Sequence, residues 1–371
     1  MRKSLLAVAV LGAFAANAMA ADVTLYGIVD TGFSYSSLKV DGKKRVNKFT
    51  MESGQQSGSR WGLKGVEEIN SQLSVGFILE SGFKSDNGQI ANGSGLFTRQ
   101  SVLQVITKDY GTFGAGRFGG PLTGSGSWVD KVGRLGALSS SWGSYNANVP
   151  HAITVPKSRA DNAMAYVTPK FAGVQGVFYY AMGDSNENKA TDDRMAQIAF
   201  TYDNGPLALT AGGSYMMYGH NPGVEVDDYW SVSLGGSYDF GVAKVYLAGQ
   251  YFDEAKLSML SDADKHAPSE AGSAKIKGWG LALSASAPLG GGSIIGEINY
   301  VDAKLADSAK KLIDGDVDFD RIQGSIGYTY NLSKRTNLYA MVGAGRDEFK
   351  HEGDKAKATY YRGLVGLRHR F

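Results

Sequence analysis

Cysteine is absent from the 371 residues, which excludes disulfide staples, thiolate catalysis, iron–sulfur clusters and cysteine-rich zinc sites. Histidine is scarce: His151, His220, His266, His351 and His369 never fall four apart, so no helix presents two imidazoles to one metal ion. An excess of one charge is missing too, with 38 Lys and Arg against 36 Asp and Glu, scattered rather than in a basic block. That removes the electrostatic footprint of a nucleic-acid binder. Beyond residue 20 no run approaches 18 consecutive apolar residues, so a membrane span by α-helix is excluded. Neither a metal nor a cofactor nor nucleic acid is expected.

The first twenty residues have their own pattern. Arg2 and Lys3 precede an apolar run over 5–16, and Ala18-Met19-Ala20 stands before Ala21. A charged start, a short apolar stretch and a small-x-small site predict a secretory signal peptide over 1–20, too short for a spanning helix. The mature chain is then one unit, 21–371, and losing Arg2 and Lys3 reduces the 38 basic residues to 36, equal to the 36 acidic ones.

Glycine is abundant, at 50 residues, and it sits within alternating patterns. Trp230, Val232, Leu234 and Tyr238 alternate with Ser231, Ser233, Gly235 and Ser237. Leu73, Val75, Phe77 and Leu79 oppose Ser74, Gly76 and Glu80, and Tyr361, Val365, Leu367 and Phe371 oppose Arg362, Gly366, Arg368 and Arg370. Period two with one apolar face predicts strands. A soluble sandwich and a lipid-facing barrel both show this alternation, but connection lengths separate them. Tight turns fall near 67–72, 108–111, 169–173, 203–206, 239–241, 288–291 and 331–335. Longer polar stretches lie near 37–57, 85–96, 118–158, 184–193, 218–228, 253–274, 302–316 and 347–359. Seven turns and eight loops join sixteen strands, an even number with both chain ends on the periplasmic side, as a closed antiparallel outer-membrane barrel requires. Over 97–107 both alternating sets mix apolar and polar residues, so the pattern does not say which face looks outward; a subunit interface would account for this. The connection 118–158 far exceeds an ordinary loop, which points to a functional one.

Several segments now carry a family likeness: the mature start Asp22-Val23-Thr24-Leu25-Tyr26-Gly27, then Ser59-Arg60-Trp61-Gly62-Leu63-Lys64-Gly65, Asn331-Leu332-Ser333-Lys334-Arg335-Thr336, and the terminal Gly366-Leu367-Arg368-His369-Arg370-Phe371. Together they resemble the general porins of Gram-negative bacteria, of the β-proteobacterial type. The resemblance implies an all-β, sixteen-stranded transmembrane barrel, a homotrimer, whose third external loop, here 118–158, folds into the lumen opposite wall arginines. It maps those arginines onto Arg60, Arg99 and Arg159, and the acidic counterparts on the inward loop and facing wall onto Asp130 and Glu80. The loop departs from the family's Pro-Phe-Gly-like pattern, reading Gly119-Gly120-Pro121-Leu122-Thr123-Gly124. The terminal Phe371 resembles the signal read by barrel-insertion machinery.

Other motifs carry less. Lys43, Lys44, Arg45 and Lys48 read as a solvated basic loop, with lipid phosphate as a second reading. Gly114-Ala115-Gly116-Arg117-Phe118-Gly119 matches a dinucleotide fingerprint without the surrounding βαβ unit, so its glycines are read as permitting strand twist and close approach of the loop. Asp314, Asp316, Asp318 and Asp320 lack the glycine and terminal glutamate of a calcium loop, and a wet carboxylate ladder is expected, with a divalent ion as the alternative. No serine–histidine–acid grouping is legible. The expected function is passive diffusion of small hydrophilic solutes across the outer membrane, with a modest preference for anions and no enzymatic step. The alternatives are a porin specific for a sugar or organic acid, an outer-membrane barrel hydrolase and a secreted β-sandwich binding protein.

Overall fold

Trp230, Val232 and Leu234 are 39, 54 and 64% exposed, whereas the serines between them are buried, so the strand wears its apolar face outward. This is the reverse of a water-soluble sandwich, and it holds around the whole molecule: Leu247, Leu281, Ile298, Ile326 and Val342 are exposed, while Gln197, Ser233, Gln250, Ser284 and Gln323 face inward and are buried. Such a surface suits lipid outside and a polar lumen inside. The computed structural model describes residues 23–91, 93, 95–137, 153–183, 194–218, 227–260, 274–311 and 315–371; the expected signal segment lies outside them.

The strands are β1 (Thr24–Val40), β2 (Val46–Ser53), β3 (Arg60–Asn70), β4 (Leu73–Gly82), β5 (Gln100–Thr107), β6 (Gly111–Phe118), β7 (Ala160–Val167), β8 (Val174–Ala181), β9 (Met195–Asn204) and β10 (Leu207–Met216). They continue with β11 (Tyr229–Asp239), β12 (Lys244–Lys256), β13 (Lys275–Leu289), β14 (Gly292–Leu305), β15 (Val317–Asn331), β16 (Thr336–His351) and β17 (Asp354–Arg370). All pairings are antiparallel, from β3 onward each strand pairs with the next in sequence, and β1 closes onto β17 from Ile28↔Arg370 to Val40↔Ala358. Both β2 and β3 pair with β1, over 31–38 and 24–28 respectively, so they are two halves of one barrel strand interrupted at 54–59. The segments therefore build a closed sixteen-stranded barrel, in which no backbone edge is left to lipid.

Aromatic pairs mark the two rims of the apolar band. Trp230 and Tyr251 have ring centroids 5.3 Å apart, and Trp279 and Tyr300 are 5.4 Å apart, at the external level. Phe178 and Phe200, at 6.1 Å, and Tyr238 and Phe240, at 4.7 Å, lie toward the tight turns. These are the interfacial girdles of a transmembrane barrel.

The seven tight connections fall where the sequence places them, between β3 and β4, β5 and β6, and so on to β15 and β16. Four of the eight expected loops need correction. The stretch 37–57 is mostly β1 and β2 around a short tip, 253–274 begins inside β12, 302–316 begins inside β14, and 347–359 is the hairpin of β16 and β17. In these stretches charged residues interrupt the pattern and the apolar ones are split between the faces, Phe49 and Met51 outward and Ala303, Leu305 and Phe349 buried inside, so alternation fades. The ambiguous 97–107 segment also resolves. Ser101, Leu103 and Val105 look outward, and Val102 looks inward yet is buried with Phe118, Val129 and Val177 beneath the start of the long loop. The apolar residue on the lumen side is covered by loop, with no need of a subunit interface.

Candidate functional site

The lumen wall changes character where β1, β3, β4 and β5 meet the long loop. Arg60 opens β3, Arg99 precedes β5 and Arg159 precedes β7, and the fold brings all three together. Arg99 Nη2 donates to the Ser125 carbonyl at 3.3 Å and Arg159 Nη2 donates to the same oxygen at 2.5 Å. Two glycines lie against the guanidiniums. A Cβ on Gly126 would stand 3.5 Å from Arg60 Nη1 and 3.9 Å from Arg99 Nη2, and one on Gly58 would stand 3.2 Å from Arg99 Nη1. Any larger residue would push the loop or the strand interruption away from the charges.

The two sequence-predicted acids lie differently. Glu80 is on the arginines' own wall: its Oε1 accepts from Arg99 Nε at 2.7 Å and its Oε2 accepts from Tyr26 Oη at 3.1 Å. It is the counterion of Arg99 and not a group facing the cluster across the gap. Asp130 sits on the loop, where its Oδ2 accepts from Gly126 N at 2.7 Å and its Oδ1 accepts from Val132 N at 3.1 Å, tying the turn 126–132 together. Burial pushes its carboxyl up to about 6, against the two backbone N–H groups and the charges of Arg159 and Lys131, which pull it down. Among the described residues no carboxylate lies within 4.0 Å of Arg60 or Arg159, so the cluster keeps a positive surplus.

The described part of the 118–158 connection touches the lumen face of distant strands. Leu122 N donates to Gln197 Oε1 at 3.2 Å, Ala137 N donates to Ser284 Oγ at 2.8 Å and Thr154 N donates to Gln250 Oε1 at 2.7 Å. Leu122, Val132 and Leu135 pack with Ala199 and Ala248 on the same side. Gly114 makes room for the loop, since a Cβ there would stand 2.6 Å from the Trp128 ring, which fits the reading of the glycine-rich segment as a place of close approach.

Sequence reasoning missed the residues behind the arginines. Asp30 is fully buried; its Oδ2 accepts from Gln56 N at 3.0 Å and Ser57 N at 2.7 Å, and its Oδ1 accepts from Tyr339 Oη at 2.5 Å. The alternation in β1 puts it on the lumen side with Tyr26 and Ile28, a signal that could have singled it out.

The remaining motifs are occupied otherwise. Arg45 donates to Ser37 Oγ at 3.0 Å and lies over the Tyr361 ring. Asp316 pairs with Lys310 and Asp320 with Lys350, each at 2.7 Å, Asp314 lies outside the described residues, and no group of three metal-binding side chains occurs among the described residues. Two of the three described carboxylates of the candidate divalent site, those of Asp316 and Asp320, are held in lysine ion pairs.

Comparison with known proteins gives a consistent picture. A family model for Gram-negative porins matches residues 7–350. An outer membrane porin of Bordetella pertussis is 34% identical and outer membrane porin protein 32 of Delftia acidovorans is 31% identical, each over the full length of both chains. The solved structure of an anion-selective porin from Comamonas acidovorans superposes with a TM-score of 0.66 at 26% identity, covering 95% of this chain and all of that one.

Proposed function

Because the chain belongs to the Gram-negative porin family, and is therefore an outer-membrane channel, we propose that Arg60, Arg99 and Arg159, set against residues 118–158, give its passive solute flux a modest preference for anions. The observation that supports this is the charge balance around Ser125: Arg99 and Arg159 donate to its carbonyl, Arg60 lies against the neighbouring Gly126, and among the described residues the one carboxylate bonded to any of them is Glu80. Guanidinium remains protonated even among its own kind, so the surplus persists across pH. Low-dielectric barrel walls focus its field into the aqueous gap, where it lowers the barrier for small anions along that side.

In this reading the loop lies across the lumen and narrows it, with Ser125 and Gly126 against the arginines and Asp130 fixing the turn. No covalent step or energy input is involved. The relative described as anion-selective supports the same sign of preference. The working unit is read as a homotrimer, and Phe371 as the segment read by the insertion machinery, both on the family resemblance. Planar-bilayer recordings of the purified protein test the function: ohmic channels with a zero-current potential of anion sign in a salt gradient are expected. Absence of channels, or a potential of cation sign, would overturn it.

A further inference from the structure

The barrel strand formed by β2 and β3 is broken at 54–59, and the broken segment turns inward. Gln55, Gln56 and Ser59 are buried, and Gly54 adopts φ +70 with Gly58 Cα only 2.8 Å from where a Cβ would stand, so the turn closes tightly on itself. Gly58 is carried to the cluster: Arg60 Nε donates to its carbonyl at 2.8 Å, and the Arg99 guanidinium lies against its Cα. The arginines are thus flanked by two peptides, Gly126 from the long loop and Gly58 from the strand break.

What holds the break in place is Asp30 on the neighbouring strand. Its carboxylate accepts the N–H groups of Gln56 and Ser57 and the hydroxyl of Tyr339, its own N–H donates to Ser59 Oγ at 3.0 Å, and its carbonyl accepts from Ser59 Oγ and Ser85 Oγ. Asn337 Nδ2 donates to Gln56 Oε1 and Arg368 Nη1 donates to Ser57 Oγ, each at 2.8 Å, from the side of β16 and β17. A carboxylate that accepts two backbone N–H groups fixes a segment more firmly than neutral partners do. We propose that Asp30 is a positioning residue for solute selection: it clamps the 54–59 break as a second inward element of the lumen, and through Gly58 sets where the Arg60 charge points. This rests on the arginine reading above.

The two ways Asp30 can influence anion flux have opposite signs, which makes the proposal testable. As a mere negative charge near the cluster, Asp30 would weaken the anion preference, so Asp30→Asn would raise it. As a clamp it places Arg60, so D30N frees the break and lowers the preference. The full-length protein is assayed in planar bilayers by zero-current potential in a KCl gradient, with heat-modifiable mobility as the check on folding. The expected result is a folded D30N protein whose chloride-over-potassium permeability ratio falls about threefold, the scale of one lost net hydrogen bond. Tyr339→Phe leaves the charge in place, removes one donor to the same carboxylate and should shift the ratio in the same direction by less. The double variant D30N/R60S should be no less selective than R60S alone, because Asp30 acts through Arg60. An unchanged or increased ratio in D30N overturns the proposal; if D30N does not fold, an unchanged ratio in Y339F does so. R60S with wild-type selectivity would instead overturn the arginine reading itself.

Discussion

Arg99 Nε donates to Glu80 Oε1 at 2.7 Å with both side chains buried, so the one carboxylate bonded within the arginine cluster among the described residues is committed to its own wall. Substituting Glu80→Gln keeps an oxygen for Arg99 and turns an amide NH2 toward Tyr26, whose hydroxyl can accept from it, while removing the charge. A unit charge at ~4 Å counts for ~4 kcal/mol at an effective dielectric of 20 but ~1 kcal/mol in bulk water, so the effect depends on how dry the gap is. The expected outcome is an anion preference raised several-fold in zero-current potential. A preference that falls would mean that Glu80 positions Arg99 more than it neutralises it.

Replacing Arg60, Arg99 and Arg159 together by serine should abolish the preference while leaving channels open, because the chain carries nearly equal numbers of basic and acidic residues, 38 against 36, and selectivity depends on placement. In the wild-type protein, raising salt from 0.1 to 1 M shortens the screening length from ~10 to ~3 Å and should reduce the preference markedly. A potential unmoved by the triple substitution would place the selecting charges elsewhere.

Asp130 supplies a pH signature. Its carboxyl is raised to about 6 by burial, so it is charged at pH 7 and largely neutral at pH 5. Acidification through that window removes a negative charge beside Arg159, and the anion preference should rise. Asp130→Asn should hold the raised value at both pH values, which separates this group from every other acid in the lumen. The comparison is a pair of zero-current potentials, at pH 7 and pH 5, for each protein.

These predictions draw on two kinds of information, of which the sequence displays one openly. Alternation and turn chemistry are local: Asn204-Gly205, Asp239-Phe240-Gly241 and Gly290-Gly291 mark turns, and Trp230 to Tyr238 marks a lipid-facing strand. The barrel and its strand number were legible from them. In β2 only Phe49 and Met51 keep the outward apolar pattern, against the inward Lys48, Thr50 and Glu52, and so short a run of alternation reads as a loop. The arginines entered through family likeness, but their surroundings are long-range. Asp30 meets Tyr339 across more than 300 positions, and Arg99 meets Ser125 through a loop with no periodic signature. The facing-wall place of Glu80 likewise comes only from the family likeness: alternation says that a residue looks into the lumen, but not which residue it meets there.

Near the external end of β15 and β16, Arg321 and Asp347 form a bidentate pair at 2.8 and 2.7 Å, both fully buried beneath Leu260, whose carbonyl accepts from Arg321 Nη1. Removing one partner leaves an uncompensated buried charge, so Asp347→Ala should lower stability by about 3–5 kcal/mol. Denaturant unfolding in detergent checks the loss. Conductance of the protein that does fold should change little, since the pair lies away from Ser125. An unfolding midpoint equal to wild type would mean that water reaches Arg321.

The seam where the barrel closes carries the last prediction. Phe371 exchanges both backbone hydrogen bonds with Gly27, each at 3.1 Å, and its ring lies where a Gly27 Cβ would be, 2.2 Å away. Gly27→Val would therefore drive the terminal ring off β1 and pull the last pair of the seam apart, and it should yield little heat-modifiable barrel. Deleting Phe371 is a different perturbation. It removes two of the many hydrogen bonds along a seam that runs from Ile28 to Val40, at a net value of about 1 kcal/mol each, and a ring already 44% exposed. Once inserted, the truncated barrel should unfold within about 2 kcal/mol of the wild type on that accounting. If the terminal aromatic is the feature read during insertion, the amount reaching the outer membrane should drop far more than such a small loss of stability explains. Quantifying membrane-inserted protein in cells beside unfolding of the purified barrel separates the two effects: equal insertion with lowered stability would leave Phe371 as one more girdle aromatic, whereas poor insertion with near-native stability assigns it to assembly.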